Sequence, residues 1–304
     1  GLPRAHEPLA LVMAPTRELA QQVGREFESV SPRLGCLCVY GGAPIGPQMG
    51  KLRTGVDVLI GTPGRIKDLM QRGSLALSGV RCAVLDEADQ MLDMGFADDM
   101  AEILGACSHG ERQTSLFSAT VPPWVREVAS KYMRPDMQTV DLVGNSERKA
   151  SSDVRHIAIP CPGPMSMRGS TINDVIAMYT GTTGRVIVFC ETKAECDELG
   201  NSDTLRYEAK CLHGDISQPV REKTMAAFRK GRFRVLIATD VAARGIDMIV
   251  DLVLQSKPPV RKMSGRIDPE TYVHRSGRTG RAGRKGICVT LFGPRDREAV
   301  RGVE

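Results

Sequence analysis

Val84-Leu85-Asp86-Glu87-Ala88-Asp89 reads as an apolar strand that ends in acid. Its apolar part lacks period-two alternation, the pattern of a strand covered on both faces. Runs of the same kind recur at 9–13, 56–60, 83–85 and 115–117, then at 186–189, 235–237, 252–254 and 287–291. Amphipathic helices lie between them. Residues 16–30 place Leu19, Val23, Phe27 and Val30 on one stripe, and residues 218–228 form a second helix. This rhythm predicts two open, mostly parallel α/β sheets. In such sheets ligands gather beyond the carboxyl ends of the strands, so the residues at those ends carry the function.

Length and composition agree with that frame. The 304 residues suffice for two domains, each able to bury its own core. A hydrophobic content of 41% and a charged content of 25% exclude disorder, collagen and coiled coil. Lys plus Arg number 41 against 36 Asp plus Glu, a net charge of +5 that permits a polyanionic partner without requiring one. Aromatic residues are only 4%, so base stacking is not expected to dominate a nucleic-acid contact. No apolar run approaches the ~20 residues of a membrane span. The nine cysteines are scattered without a C-x-x-C, which suits a reducing compartment and small core residues. A polar break at 144–149 separates the two halves.

The strand ends hold the chemistry. An aspartate at the position of Asp86 can hold magnesium through waters, because the ion keeps its hydration. A glutamate beside it, Glu87, can orient and deprotonate an attacking water. The same residues also suit an acidic turn stabilised by a helix dipole. Ser118-Ala119-Thr120 follows the next strand, and its hydroxyls can hydrogen-bond back to the acidic turn. In His274-Arg275-Ser276-Gly277-Arg278-Thr279-Gly280-Arg281-Ala282-Gly283-Arg284, arginines recur every three residues and glycines keep the backbone slim. Arginine forks suit the spread charge of a transferring phosphoryl group, where such a finger contributes about 10³–10⁵ in rate.

Together these segments resemble the DEAD-box RNA helicases over essentially the whole chain, with the motifs in order. Ala14-Pro15-Thr16-Arg17-Glu18-Leu19-Ala20, Tyr40-Gly41-Gly42 and Thr62-Pro63-Gly64-Arg65 resemble the RNA-contact motifs of the first domain. Asp86-Glu87-Ala88-Asp89 and Ser118-Ala119-Thr120 match the next two motifs. In the second half the matches are 186–190, His213-Gly214-Asp215 with Gln218 and Arg221, Ala238 to Asp247, and His274 to Arg281. Within the family the chain is most similar to the Gu, or nucleolar RNA helicase II, group, through Gly64-Arg65-Ile66-Lys67-Asp68, Asp141-Leu142-Val143-Gly144, Phe189-Cys190-Glu191-Thr192-Lys193 and Gly293-Pro294-Arg295-Asp296-Arg297.

The resemblance implies two tandem RecA-like α/β domains with mostly parallel sheets, at 1–146 and 154–304, joined by a linker at 147–153. It implies ATP and Mg2+ as cofactors, with Asp86 holding the metal through water and Glu87 activating the attacking water. Gly245 and Asp247 would contact the nucleotide, Asp247 at the ribose, while Arg278 and Arg281 reach the γ-phosphate. Ser118, Thr120 and His274 would link the nucleotide to RNA. Pro15, Thr16, Arg17, Gly42, Thr62 and Arg65 would bind RNA backbone on the first domain, and Gln218, Arg221 and Thr239 on the second, independently of base sequence. The implied protein is a monomer in its catalytic unit, needs no membrane, and works on RNA and pre-ribosomal particles in the nucleus and nucleolus, or alternatively in the mitochondrion or another organelle.

Two departures qualify the match. The Q motif and a G-x-x-x-x-G-K-[ST] phosphate loop are not found, since Gly50-Lys51 runs on to Leu52. The first domain is therefore expected to be amino-terminally truncated, the chain being part of a longer one. A non-enzymatic RNA- or ribosome-binding module is the alternative if that loop is truly absent, and a DNA translocase of the same superfamily is a third reading. The second departure is the stretch 255–270, longer than usual, with Pro258, Pro259, Pro269, Lys257, Arg261, Lys262 and Arg266. It is expected to be a mobile, solvated loop, with contact to RNA phosphate as the alternative.

Overall fold

Every named strand runs parallel to its neighbours. The computed structural model describes residues 7–121, 123–141, 151, 153–243, 248, 250–261, 265–280 and 283–301. The chain divides into two units, Gly1–Val140 and Asp141–Glu304. The first alternates β1 (Ala10–Met13), α1 (Arg17–Val30), β2 (Cys36–Val39), α2 (Ile45–Arg53), β3 (Val58–Gly61), α3 (Pro63–Gln71), β4 (Cys82–Leu85), α4 (Ala88–Asp93), α5 (Ala97–Ala106), β5 (Gln113–Leu116) and α6 (Pro123–Tyr132). Its sheet has the order β2-β3-β1-β4-β5. The second unit continues with β6 (Val154–Pro160), α7 (Arg168–Thr180), β7 (Val186–Cys190), α8 (Lys193–Gly200), β8 (Ala209–Leu212), α9 (Gln218–Arg229), β9 (Val235–Thr239), α10 (Asp240–Ala243), β10 (Leu252–Gln255), α11 (Pro269–Ser276), β11 (Gly286–Phe292) and α12 (Arg297–Arg301). Its sheet has the order β6-β11-β10-β7-β9-β8.

The continuous apolar runs follow from helices on both faces. In the first unit Leu11, Met13, Leu59 and Leu85 join one core, while Val12, Val58 and Ile60 join another under Leu19 and Ala20 of α1. In the second, Val186, Val188 and Cys190 face one core and Ile187 and Phe189 the other. Neighbouring residues on one strand thus bury on opposite sides, each aliphatic side chain contributing about 1.5–3 kcal/mol.

Several details differ from expectation. Strands β2, β6 and β8 were not foreseen. The helix stripe at 16–30 ends early: Leu19, Ala20 and Gly24 are buried, but Val30 is 80% exposed. The expected solvated loop at 255–270 is largely built into the second unit. Gln255 and Ser256 are fully buried, Pro258 and Pro259 are buried, and Val260 bridges Ile267 in an antiparallel turn. No helix among the described residues is long and apolar enough to cross a membrane.

Gly61 closes β3 where β2 and β3 lie tightest. It pairs with Val39, and a Cβ there would sit 2.5 Å from the Val39 carbonyl oxygen. Gly61→Ala is therefore expected to destabilise the first unit by about 1–3 kcal/mol, read from its urea unfolding midpoint. An unchanged midpoint would refute the tight approach.

Candidate nucleotide and RNA sites

In the first unit the sheet order sorts the strand ends into two groups. β4 and β5 lie side by side at one end of the sheet, and β2, β3 and β1 at the other. The acidic residues and Ser118-Ala119-Thr120 follow the first pair, while Gly42, Thr62 and Pro15-Thr16-Arg17 follow the other three.

The acidic turn is fixed from several sides. Asp86 N donates to Met13 O of β1 at 3.0 Å, and Ala88 N donates to Phe117 O at 3.0 Å. Glu87, between them, has φ 48° and ψ 52°, the one left-handed non-glycine residue among those described. Left-handed backbone at a glutamate is strained, and such strain concentrates at functional sites. Asp89 then enters α4 almost fully buried, at 2% exposure. Its Oδ2 accepts from both Thr120 N and Thr120 Oγ1 at 3.0 Å, and Asp89 N donates to Ser118 Oγ at 3.3 Å. Ser118 Oγ donates onward to Thr120 O at 2.6 Å. The expected bond between the two motifs is present, and Asp89 is its hub, a role the sequence reading did not assign. Its place two residues after Glu87, at the start of the helical stretch, was the available signal.

Asp86 has a different environment. Burial pushes its carboxyl above the usual range, the Glu87 backbone N–H at 3.0 Å opposes this, and the Asp89 charge adds to the rise. A cation beside it would offset that penalty. No group of three or more His, Cys, Asp and Glu placed to hold a metal occurs among the described residues. A single carboxylate with open water positions fits hydrated magnesium, which takes few protein ligands, better than a protein cage for zinc or calcium.

The other end of this sheet is built for an extended anion. Thr16 caps α1, accepting from Leu19 N at 3.3 Å. Thr62 has N-cap dihedrals at α3 but closes no side-chain bond to it, with Pro63 at the first helical position. The positive end of a helix favours phosphate. Gly42, at φ +76°, lies where a Cβ would run into the Arg17 guanidinium. Arg65 Nη2 donates to Ala43 O at 3.1 Å, while its Nη1 is buried without a hydrogen-bond partner among the described residues. Buried donors are rarely left unpaired, so this one fits an absent acceptor.

In the second unit a small open hollow is lined by Phe189, Asp240, Ala243, Thr271, His274, Arg275 and Arg278. His274 and Arg278 are thus brought together, and Thr239 directly precedes Asp240. Arg275, also missed as a site residue, is locked in place. Its Nε and Nη2 donate to the two Asp240 oxygens at 2.6 and 2.7 Å, and its Nη1 to Gln255 Oε1 at 3.3 Å. Arg221 Nη2 donates to Ala242 O at 2.8 Å, tying α9 to α10, and Gln218 Nε2 donates to Glu222 Oε1 at 2.9 Å. Gly245, Asp247 and Arg281 lie outside the described residues.

The Asp86 environment predicts a pH effect of definite sign. A carboxyl whose folded pKa lies above its unfolded value costs stability once deprotonated, and the cost vanishes below the ordinary aspartate range near ~4. Asp86→Asn is therefore expected to raise the melting temperature at neutral pH in metal-free buffer, with the gain shrinking as pH falls. Melts across pH in which the gain stays constant or grows toward acid would refute this.

Residues 3–128 match the DEAD/DEAH box helicase family and residues 170–283 the helicase conserved C-terminal domain. ATP-dependent RNA helicase DDX50 of Mus musculus is 49% identical over 306 residues, covering 99% of this chain and 40% of that protein. Nucleolar RNA helicase 2 of Rattus norvegicus is also 49% identical, covering 99% of this chain and 38% of its own length. The chain thus spans about two fifths of the curated relatives it matches. Among solved structures, S. cerevisiae Dbp5 bound to RNA and ADP BeF3 is 30% identical with a TM-score of 0.84, over 100% of this chain and 76% of that one. The likeness covers both RecA-like units and the motifs in each, and the chain belongs to the DEAD-box helicase family.

Proposed function

We propose that this protein is an ATP-dependent RNA helicase that couples RNA-stimulated ATP hydrolysis to opening of short RNA duplexes or remodelling of RNA–protein particles. The observation that carries this reading is the acidic turn: a strained Glu87 beside a desolvated Asp86, with Asp89 bonded to Thr120. An ordinary capped turn requires neither the strain nor the buried charge.

Asp86 would hold magnesium. The ion, when bound, neutralises phosphate charge. Glu87 accepts a proton from the attacking water, and Arg278 and Arg281 stabilise charge on the transferring phosphoryl group. Gly245 and Asp247 contact the nucleotide. Ser118, Thr120 and His274 relate hydrolysis to the bound strand. Pro15, Thr16, Arg17, Gly42, Thr62 and Arg65 hold RNA backbone, as do Gln218, Arg221 and Thr239. Backbone N–H groups, hydroxyls and arginines at these positions suit phosphate and 2′-OH and offer no base code. Ribosomal RNA processing, with pre-ribosomal particles as substrate and the nucleolus as location, is the biological setting we favour, in keeping with the name of the rat relative. The catalytic unit acts as a monomer.

Steady-state ATPase and RNA-binding assays on the full-length protein test the assignment. Glu87→Gln is expected to lower kcat by about 10²–10⁴ while RNA affinity is kept. Arg278→Gln is expected to lower it by about 10³–10⁵. Wild-type turnover in either variant, or a parent whose ATPase ignores RNA, would overturn the reading.

A further inference from the structure

The helix that carries His274 and Arg275 is held to its sheet at a second point, which none of the sites above uses. Tyr272, 5% exposed, lies one turn before Arg275 on the same buried face of α11. Its hydroxyl shares a hydrogen bond with His156 Nδ1 of β6 at 2.8 Å, and the two rings are 5.5 Å apart and tilted by 34°. The sheet beneath is polar at this place. His156 stands opposite Cys288 of β11 in the register, Gln255 Nε2 of β10 donates to Cys288 Sγ at 3.4 Å, and Arg275 Nη1 donates to Gln255 Oε1. A polar row thus runs from Asp240 through Arg275, Gln255 and Cys288 to His156. An apolar pair would fill the space of His156 and Tyr272 without desolvating either. His156 Nε2 is buried without a hydrogen-bond partner among the described residues, a cost that packing alone does not require. Burial holds the imidazole below its ordinary range and lifts the phenol above its own, so both are uncharged at neutral pH. A hydrogen bond between neutral groups adds little net stability; what it adds over an apolar contact is direction.

Two anchors decide how this helix lies. The Arg275 fork fastens its last turn to Asp240, which follows β9, and Tyr272 fastens the preceding turn to β6. In the sheet order β6-β11-β10-β7-β9-β8 those two strands are four places apart. A helix fastened at one point can swing about it, and a second anchor toward the far edge of the sheet removes that freedom. Tyr272 and Arg275 are buried, whereas His274 and Arg278 line the hollow, and Arg278 N donates to Arg275 O at 3.1 Å. The roll of α11 therefore places both lining side chains. Neither His156 nor Tyr272 is among the residues that line the hollow. We infer that the His156–Tyr272 pair is a positioning device for the proposed phosphoryl-transfer step, setting the roll of α11 and so the aim of His274 and Arg278. The inference rests on the ATP-dependent helicase reading and adds two positioning residues to it.

Steady-state ATPase of the full-length protein with saturating single-stranded oligouridylate, read beside thermal melts, tests it on Tyr272→Phe, His156→Leu and the two combined. Each is expected to lower kcat by about 10–10², the scale of a ~1 Å misplacement at a reacting centre, with KM for ATP kept within about twofold. The combined variant leaves neither partner unpaired, so its melting temperature is expected to equal or exceed the parent's while kcat stays low. His156→Asn, which keeps a polar group near the place of Nδ1, is expected to retain most of the turnover. Parental kcat in the combined variant, or turnover that rises and falls with melting temperature across the set, assigns the pair to stability alone and overturns the inference. A raised KM with kcat kept also overturns it, since it places the pair in ground-state binding. A parent without RNA-stimulated ATPase overturns the helicase reading and this inference with it.

Discussion

Parallel pairing is the constraint on which the rest depends. When every strand points the same way, every loop that follows a strand opens on the same edge of its sheet, and strand order alone decides which loops become neighbours. In the first unit that order sets the acidic turn after β4 against the hydroxyl turn after β5, and the loops after β2, β3 and β1 against one another. β1 sits where the two groups meet. Met13 O accepts from Asp86 N, and Ala14 N donates to Gly61 O, so one strand end is bonded to a loop of each group. The two groups of loops on this edge share a backbone support, and neither can shift without loading it.

The two outer carboxylates of the acidic turn show how environment divides identical side chains. Asp89 is buried with its oxygens filled by Thr120 and by the Gln90 backbone N–H, so it acts as a structural acceptor joining two loops. Asp86 is only half as well served. It has the Glu87 N–H on one side, burial around it and the Asp89 charge nearby. A satisfied buried acid stabilises, whereas an undersatisfied one stores cost that a cation can relieve. That inequality, rather than the number of acids, distinguishes this turn from a solvated acidic cap.

Central strands were legible in the sequence because both faces are covered: 186–189 and 235–237 are unbroken apolar runs, and both lie inside their sheet. Of the strands missed, β2, β6 and β8 are all at sheet edges. Cys36-Leu37-Cys38-Val39 alternates in burial and Ala209-Lys210-Cys211-Leu212 buries only Leu212, since an edge strand lacks cover on one side, and a search for continuous runs passes over them. The Pro258–Pro259 stretch misled in the opposite direction. Prolines and basic residues spell a loop locally, but the backbone around Gln255 and Ser256 is buried by Arg168 and Arg275, partners distant in sequence that no local pattern reveals. The acidic and hydroxyl motifs were legible because their spacing is short; the Asp89–Thr120 bond joining them spans 31 residues and depends on strand order.

Arginine periodicity in 275–284 is the clearest case of a pattern that chemistry resolves and spacing does not. Arg275 and Arg278 are three residues apart, one turn, and look equivalent. Arg275 is sealed at 2% exposure, its fork closed on Asp240 and its plane 5.5 Å from the Phe189 ring. A bidentate guanidinium fixes direction as well as distance. It clamps α11 to the first residue of α10, and it also reaches the Lys257 carbonyl just after β10. Arg278 and His274 line the hollow because Arg275 has settled how α11 lies. The residue immediately before Asp240 is Thr239, the last of β9. One buried ion pair therefore sets the relative placement of Arg278, which we propose acts on the transferring phosphoryl group, and of Thr239, which we propose contacts RNA backbone.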